Sequence, residues 1–249
     1  SSLIDICVGA FSECSSLEII SIPSSVEKIG SHSFLNCKLL KKVTIPSSSR
    51  LKMIGKYAFN NCSALVEITL PSSLNILERG AFKGCSSLKE ISIPPSITQI
   101  EKATFQGCKN LTKVTLHSVN TINEYAFYNC SSLSQLTIHC VLKDIKKKAF
   151  FGCSKIDKLP EITELTNIEK YAFSKTEIEE MPVYPLKISK IVEHLFQNCS
   201  SLKNVIIPQT VTEIGTCSFF NCELLTRVII PNSVTTIGNH SFSRCISLE

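Results

Sequence analysis

The chain has 249 residues, of which 43% are hydrophobic and only 7% aromatic, and it contains no tryptophan. Its net charge of +5 is mild, and the one dense spot, at residues 143–148, is too short to indicate nucleic-acid binding. No apolar run approaches the roughly 20 residues of a membrane-spanning helix, so the sequence predicts no membrane insertion in this segment. The composition favours a thin aliphatic core of Leu, Ile and Val.

Phenylalanine recurs at a nearly fixed interval through the whole chain. The interval is 23 residues, except for 25 before Phe59 and 22 before Phe127. The positions are Phe11, Phe34, Phe59, Phe82, Phe105, Phe127, Phe150, Phe173, Phe196, Phe219 and Phe242. A fixed period of about 20–50 residues is typical of a solenoid, in which each repeat packs on its neighbours. The sequence therefore predicts a single repeat domain over residues 1–249, with about eleven repeats of 22–25 residues.

The repeat at residues 14–34 contains the elements expected in every coil. Ile20 and Ile22 lie two residues apart, which is the period of a strand with one face turned inward. Pro23 ends this strand because it has no N–H to donate. A second apolar pair, Val26 and Ile29, then returns the chain to the core. A glycine follows this pair in four repeats, and we expect a positive φ there: Gly30, Gly55, Gly215 and Gly238.

The first six repeats carry a hydroxyl residue at the fifth strand position, which points outward. These residues are Ser21, Thr44, Thr69, Ser92, Thr115 and Thr137. Charged and polar residues of mixed sign lie beside them: Lys41, Lys42, Glu67, Lys89, Glu90, Lys113 and Gln135. Stacked about 4.8 Å apart, the hydroxyl groups would form a continuous polar stripe on a flat sheet without a pocket. Two interpretations stay open: a solubilising face, or a protein-binding surface of the kind solenoids carry.

Repeats seven and eight depart from the pattern, at about residues 151–190. Pro160 occupies the outward fifth strand position, Pro182 replaces an inward Ile, and Thr176 stands where a cysteine is expected. A proline in an interior strand removes a ladder hydrogen bond. We therefore expect a gap or shortening of the sheet between about residues 156 and 185. This segment is either a structural irregularity or a specialised binding notch.

The last three repeats are regular again but have a more apolar outer face. The fifth strand position becomes Ile206 and Ile229, with Lys203 and Arg227 nearby, which makes a candidate contact patch. The chain begins in the middle of a repeat and stops at Glu249, where the next strand is due. Because solenoids need atypical polar end repeats, we expect this chain to be part of a longer array.

Ten of the 13 cysteines occur three residues after a repeat phenylalanine. They are Cys14, Cys37, Cys62, Cys85, Cys108, Cys130, Cys153, Cys199, Cys222 and Cys245. No Cys-x-x-Cys pair occurs, and parallel side chains in one column rarely meet the geometry of a disulfide. We therefore predict a column of reduced, poorly accessible thiols.

Two sets of stacked residues could resemble metal sites. His117 and His139 replace the strand-ending proline in consecutive repeats, and His194, Cys217 and His240 share one repeat position. Stacking holds such residues in a line, whereas zinc requires tetrahedral convergence, so we predict no metal site. The sequence also lacks paired carboxylates, a glycine-rich loop and a nucleophile elbow, which predicts neither enzymatic activity nor a cofactor.

The pattern Leu-x-x-Ile-x-Ile-Pro-x-x-Val-x-x-Ile-Gly, followed by Ala-Phe-x-x-Cys, resembles the leucine-rich repeat of the BspA type, also called the TpLRR class. The resemblance implies a right-handed coil with a parallel β-sheet on the concave face and short strands and turns on the convex side. It also implies a non-catalytic module of a cell-surface or secreted adhesion protein, with a protein or glycan as its ligand. A structural spacer, or an intracellular scaffold favoured by the free thiols, remains an alternative.

Overall fold

The computed structural model describes residues 2–159, 162, 164–181 and 188–249. Over these residues the chain winds as a parallel β-solenoid of about ten turns. The described part contains no helix that is long and apolar enough to cross a membrane. Its strands are numbered in chain order and form two columns, because most repeats contribute one strand from each of their two apolar segments.

The first column derives from the Leu-x-x-Ile-x-Ile segments, and its outward side chains are called the strand face. Its strands are β2 (Ile19–Ser21), β4 (Lys42–Thr44), β6 (Glu67–Ile68), β8 (Glu90–Ile93), β10 (Lys113–Leu116), β12 (Gln135–Ile138), β16 (Asn204–Ile206) and β18 (Arg227–Ile229). Inward and outward residues alternate in these strands, as in the buried Val114 and the exposed Lys113 of β10. The alternation gives each strand one core face and one solvent face.

The second column derives from the second apolar pair, and each of its strands has two residues. They are β1 (Asp5–Ile6), β3 (Lys28–Ile29), β5 (Met53–Ile54), β7 (Ile76–Leu77), β9 (Gln99–Ile100), β11 (Thr121–Ile122), β13 (Asp144–Ile145), β14 (Asn167–Ile168), β15 (Lys190–Ile191), β17 (Glu213–Ile214) and β19 (Thr236–Ile237). Pairing in both columns is parallel and joins equivalent residues of successive repeats, such as Ile29 with Ile54. The predicted coil is therefore confirmed.

The repeat phenylalanines stack as one column in the core. Successive ring centroids lie 5.1 to 5.9 Å apart, and the ring planes are within 13° of parallel. Because equivalent rings are related by one repeat, this spacing measures the rise between coils on their side. It exceeds the roughly 4.8 Å between hydrogen-bonded strands. The phenylalanine turns thus lie on the longer, convex side, and the strand face lies on the concave side.

The phenylalanine turn has a regular backbone of its own. Positive φ values recur two residues before and two residues after each phenylalanine, as at His32 (57°) and Asn36 (59°). The amides of His32, Phe34 and Asn36 each donate across 2.8 Å to carbonyl groups of the next repeat. The turn therefore forms a third hydrogen-bonded ladder along the solenoid.

The positive φ predicted for Gly30, Gly55, Gly215 and Gly238 is wrong, because none of them has one in the structure. These glycines are instead required by close packing of successive coils. A Cβ on Gly55 would lie 2.6 Å from the backbone nitrogen of Ser31, and the other three positions are similarly crowded by backbone. Glycine is required at these positions because successive coils approach closely, and not because the backbone is left-handed.

Both strand columns are interrupted between the repeats that contain β6 and β8. Neither β6 with β8 nor β7 with β9 forms a paired ladder in the described chain. The phenylalanine turn stays closed at this point, since Phe82 N still donates to Thr104 O across 2.9 Å. The two repeats are therefore unpaired only over the strands themselves, since Lys89 N beside β8 also donates to Val66 O beside β6 across 3.2 Å.

Between β12 and β16, the described residues form no strand of the first column. Among the described residues of this stretch, the column contains only an isolated bridge between Glu180 and Asn204. Pro160 and Pro182, to which the sequence assigned the irregularity, lie outside the described residues. Thr176 is buried and takes the place of a column cysteine, as the sequence indicates.

Candidate functional site

The residues predicted to form a binding surface lie together on the strand face. All of them are exposed except Thr115 and Thr137, which are half-buried. The ladders place equivalent residues side by side, so that Lys113 of β10 is flanked by Glu90 and Gln135. The face is thus organised in rows that run across the strands.

Several lysines of the strand face are paired with a glutamate one repeat away. Lys41 Nζ lies 2.8 Å from Glu18, and Lys203 Nζ lies 2.9 Å from Glu179. The hydrogen bond from Lys203 lowers the pKa of the Glu179 carboxyl group. Such exposed pairs contribute little to stability, because water and salt screen them. Where such pairs occur, the strand face is polar and carries little net charge.

A cleft of about 460 Å³ lies on the strand face at the interruption between β6 and β8. Thr69 lies on one side of it, and Ser92 and Thr115 lie on the other. His117 also lines the cleft, and its Nε2 lies 3.3 Å from Ser92 Oγ. The hydroxyl stripe is therefore broken between Thr69 and Ser92, and the flat sheet without a pocket that the repeat predicted is wrong here. The volume is in the range of ligand pockets, although the cleft is open to solvent.

The apolar patch predicted in the last repeats is present on the strand face. Ile206 and Ile229 are direct neighbours on β16 and β18 and are 46% and 43% exposed. Together with Met181 and Arg227 they line a shallow cleft of about 350 Å³. This patch and the polar rows lie on opposite sides of the stretch between β12 and β16.

The column cysteines have a structural role that their spacing alone does not reveal. Each buried thiol donates to the carbonyl oxygen of the phenylalanine one repeat earlier, at 3.0 to 3.2 Å. All 13 cysteines are free thiols. Cys14 is exposed and Cys245 is half-buried, so the prediction of poor accessibility is wrong for these two.

Burial keeps four of the column thiols protonated. It raises the pKa of Cys85, Cys108 and Cys130 well above the ordinary thiol value, and it raises the pKa of Cys199 to about 11. Because the thiolate is the nucleophile and the metal ligand, these four groups are unreactive at neutral pH. They support packing rather than chemistry.

The pair of His117 and His139 is stacked as expected. The ring centroids of His117 and His139 lie 5.4 Å apart, and His194 stacks on Tyr171 at 4.3 Å. His194 Nδ1 also lies 3.1 Å from Gln197 Oε1. Within the described ranges, no group of three or more His, Cys, Asp or Glu side chains could hold a metal ion.

The structure also brings together a cationic and aromatic cluster that the sequence analysis missed. Lys148, Phe151, Tyr171 and Lys175 meet on the convex turns of repeats six and seven. The signal in the sequence was Lys175, which lies two residues after Phe173. Most other repeats have Asn or Gly at this position.

Comparison with known proteins agrees with this architecture. The family model for the BspA type leucine-rich repeat region matches residues 4–134 and 120–249. A leucine-rich repeat protein from Bacteroides ovatus is 25% identical, with a TM-score of 0.55 over 99% of this chain and 81% of that one. A leucine-rich cell surface protein from Faecalibacterium prausnitzii is 28% identical, with a TM-score of 0.55 over 99% of this chain and 82% of that one. Comparison with curated proteins gave no match. Since the family model spans nearly the whole chain, the protein belongs to the BspA-type leucine-rich repeat family.

Proposed function

We propose that the chain is a non-catalytic module that binds a protein partner through its strand face, as part of a cell-surface or secreted adhesion protein. The observation that carries this proposal is the set of exposed rows across β8, β10 and β12, which open into the cleft beside β6. Extended concave faces of this kind are the usual binding surfaces of solenoids. The surface location is supported by the similar Faecalibacterium prausnitzii protein, which is described as a leucine-rich cell surface protein.

The strand face provides the features that a polar protein interface needs. Lys89, Glu90 and Lys113 supply charges of both signs, which can orient a partner and set the association rate. Thr69 and Ser92 supply hydroxyl donors and acceptors at the cleft. At the other end, Ile206 and Ile229 supply apolar area that a partner can bury.

The test is a capture experiment with a set of immobilised purified extracellular-matrix and serum proteins. The binding variant replaces Lys41, Lys89, Lys113 and Thr69 with alanine. The matched control replaces exposed residues of the same types elsewhere: Lys28, Lys56, Lys143 and Thr98. We expect the binding variant to lose capture of any protein that the unmodified chain binds, and the control to retain it. Equal capture by all three proteins would contradict the use of the strand face.

A second candidate function is a spacer or an intracellular scaffold without a dedicated ligand site. The presence of 13 free thiols favours this alternative, because disulfides are common in secreted proteins and rare in reducing compartments. In that case the strand-face variant would behave like the control against every immobilised protein.

A further inference from the structure

The convex turns of repeats six and seven bring two lysines to one aromatic ring. Lys148 Nζ lies 5.3 Å from the centroid of Phe151 and 5.0 Å from that of Tyr171. Lys175, from the following repeat, places its Nζ 5.3 Å from the same Phe151 centroid. These are cation–π distances, so the rings hold both ammonium groups in place at the surface.

The two ammonium groups lie against the same ring, and neither has a counter-charge in the described part of the chain. Tyr128 stacks on Phe151 with centroids 5.1 Å apart and planes within 6°, which covers one face of that ring. Neither Lys148 nor Lys175 has a carboxylate partner among the described residues, whereas the nearby Lys155 is paired with Glu177. Like charges held close together repel each other, and a bound anion would remove this repulsion.

Both lysines also occupy unfavourable backbone positions. Lys148 has φ of +56° and Lys175 has φ of +60°, in the left-handed region that non-glycine residues rarely adopt. Most other repeats place Asn or Gly at the position of Lys175, as in Asn36, Asn61, Gly84, Gly107, Asn129, Gly152, Asn198 and Asn221. Asparagine and glycine tolerate this conformation best. A lysine that departs from the local rule indicates a role beyond folding.

Three tyrosines lie on the same turns as the lysine pair or on the preceding turn. Tyr125, Tyr128 and Tyr171 are three of the chain's 5 tyrosines, and all three are half-buried. In the described part of the chain their hydroxyl groups have no hydrogen-bond partner, so they are available to a ligand. Phenol hydroxyls both donate and accept, which suits the hydroxyl groups of a sugar.

We propose that this convex cluster of Lys148, Lys175, Phe151, Tyr171 and Tyr128 binds a sulfated polysaccharide. The two ammonium groups clamp a sulfate ester, and the tyrosine hydroxyls bond to neighbouring sugar hydroxyls. Charge complementarity selects an anionic ligand. A single-stranded nucleic acid is a less suitable ligand, because its bases would need free aromatic faces to stack on. Phe151 covers Tyr128, and His194 covers Tyr171 at 4.3 Å, which leaves few such faces. The cluster lies on the turns rather than on the strand face, so the proposal does not depend on the proposed protein-binding function.

The experiment measures binding of heparin, a sulfated polysaccharide, by calorimetry at several salt concentrations. The test variant combines Lys148→Ala with Lys175→Asn, residues that Ala103 and Asn129 already provide at the equivalent turn positions. The control combines Lys28→Ala with Lys56→Ala, which removes the same charge from exposed lysines elsewhere. We expect the test variant to bind roughly tenfold more weakly than the unmodified chain and the control to change by less than about twofold. Thermal melting of all three proteins shows that each is folded.

Three further probes distinguish the ligand class: desulfated heparin, poly-glutamate and a single-stranded oligonucleotide. Binding that requires the sulfate groups supports the proposal, because the lysine pair then recognises the ester. Equal weakening of heparin binding in the test variant and the control would show general charge attraction and overturn the site. Tighter binding of poly-glutamate or the oligonucleotide than of heparin would overturn the choice of ligand, as would the absence of heparin binding at low salt.

Discussion

The thiol of Cys108 donates to the carbonyl oxygen of Phe82, 26 residues earlier, with an S–O distance of 3.2 Å. The same bond recurs in the other buried column cysteines and joins each repeat to the one before it. The column therefore contributes both packing and hydrogen bonding between neighbouring repeats. In a solenoid, stability depends mainly on such nearest-neighbour contacts.

Replacement of Cys108 by alanine should destabilise the protein by about 1–3 kcal/mol, because a cavity forms and a buried acceptor loses a donor. The measurement is the free energy of unfolding in urea. Cys7→Ala is the matched control, since Cys7 is exposed, and it should change stability by less than about 0.5 kcal/mol. Similar costs at the two positions would show that the buried thiol bond contributes nothing.

Thr176→Cys should raise stability by about 0.5–1.5 kcal/mol, because it restores the missing member of the column. Thr176 Oγ1 donates to Phe173 O of its own repeat across 2.8 Å rather than to the preceding repeat. In the described chain, Phe150 O consequently lacks the thiol donor that equivalent carbonyl groups have. Urea unfolding is again the measurement, with the exposed Thr98→Cys as control. A loss of stability in Thr176→Cys would contradict this account of the column.

Stability should fall at alkaline pH, between about pH 9 and pH 11. Burial raises the pKa of Cys199 from 9.0 in the unfolded reference to about 11 in the folded protein. The folded state therefore binds more protons in this interval, and the free energy of unfolding decreases as pH rises. Urea midpoints measured across this range test the prediction, and Cys199→Thr should show a smaller decrease. The idea fails if the midpoints of the two proteins follow the same curve.

Two glycines should respond differently to substitution. Gly55→Ala should destabilise by about 1–3 kcal/mol, because its Cβ would lie 2.6 Å from Ser31 N. Gly107→Asn should be nearly neutral, since the nearest atom to a Cβ there is Gly84 Cα at 3.9 Å and other repeats carry asparagine at this position. Thermal melting compares the two variants. A larger loss of thermal stability in Gly107→Asn than in Gly55→Ala would contradict this account. It would show that positive φ, rather than close approach of the coils, limits which residues are accepted.

The interruption beside β9 should appear in amide hydrogen exchange. Glu78 N and Asn123 N donate to the preceding repeat across 3.0 and 2.9 Å, but the equivalent Glu101 N has no backbone acceptor among the described residues. We expect the Glu101 amide to exchange at least roughly tenfold faster than those of Glu78 and Asn123. Equal protection of the three amides would show that the ladder closes in solution.

Much of the fold follows from the repeat period. The spacing of phenylalanine predicts the number of coils, and the alternation around Ile20 and Ile22 predicts which residues face outward. The position of cysteine three residues after phenylalanine predicts the buried column. These features depend on local geometry and on in-register stacking of equivalent residues, both of which a sequence pattern specifies directly.

Other features appear only when successive repeats are packed together. The sequence does not indicate the separation at β6 and β8, because the distance between two coils depends on the packing of all their sides at once. For the same reason, the crowding at Gly55 was mistaken for a requirement for positive φ. The pairing of Lys148 with Lys175 across Phe151 joins residues 27 positions apart in number. The sequence alone thus determined the coil and its outward face, whereas tertiary packing decided where the coil opens and which charges meet, because those distances are set between repeats rather than within one.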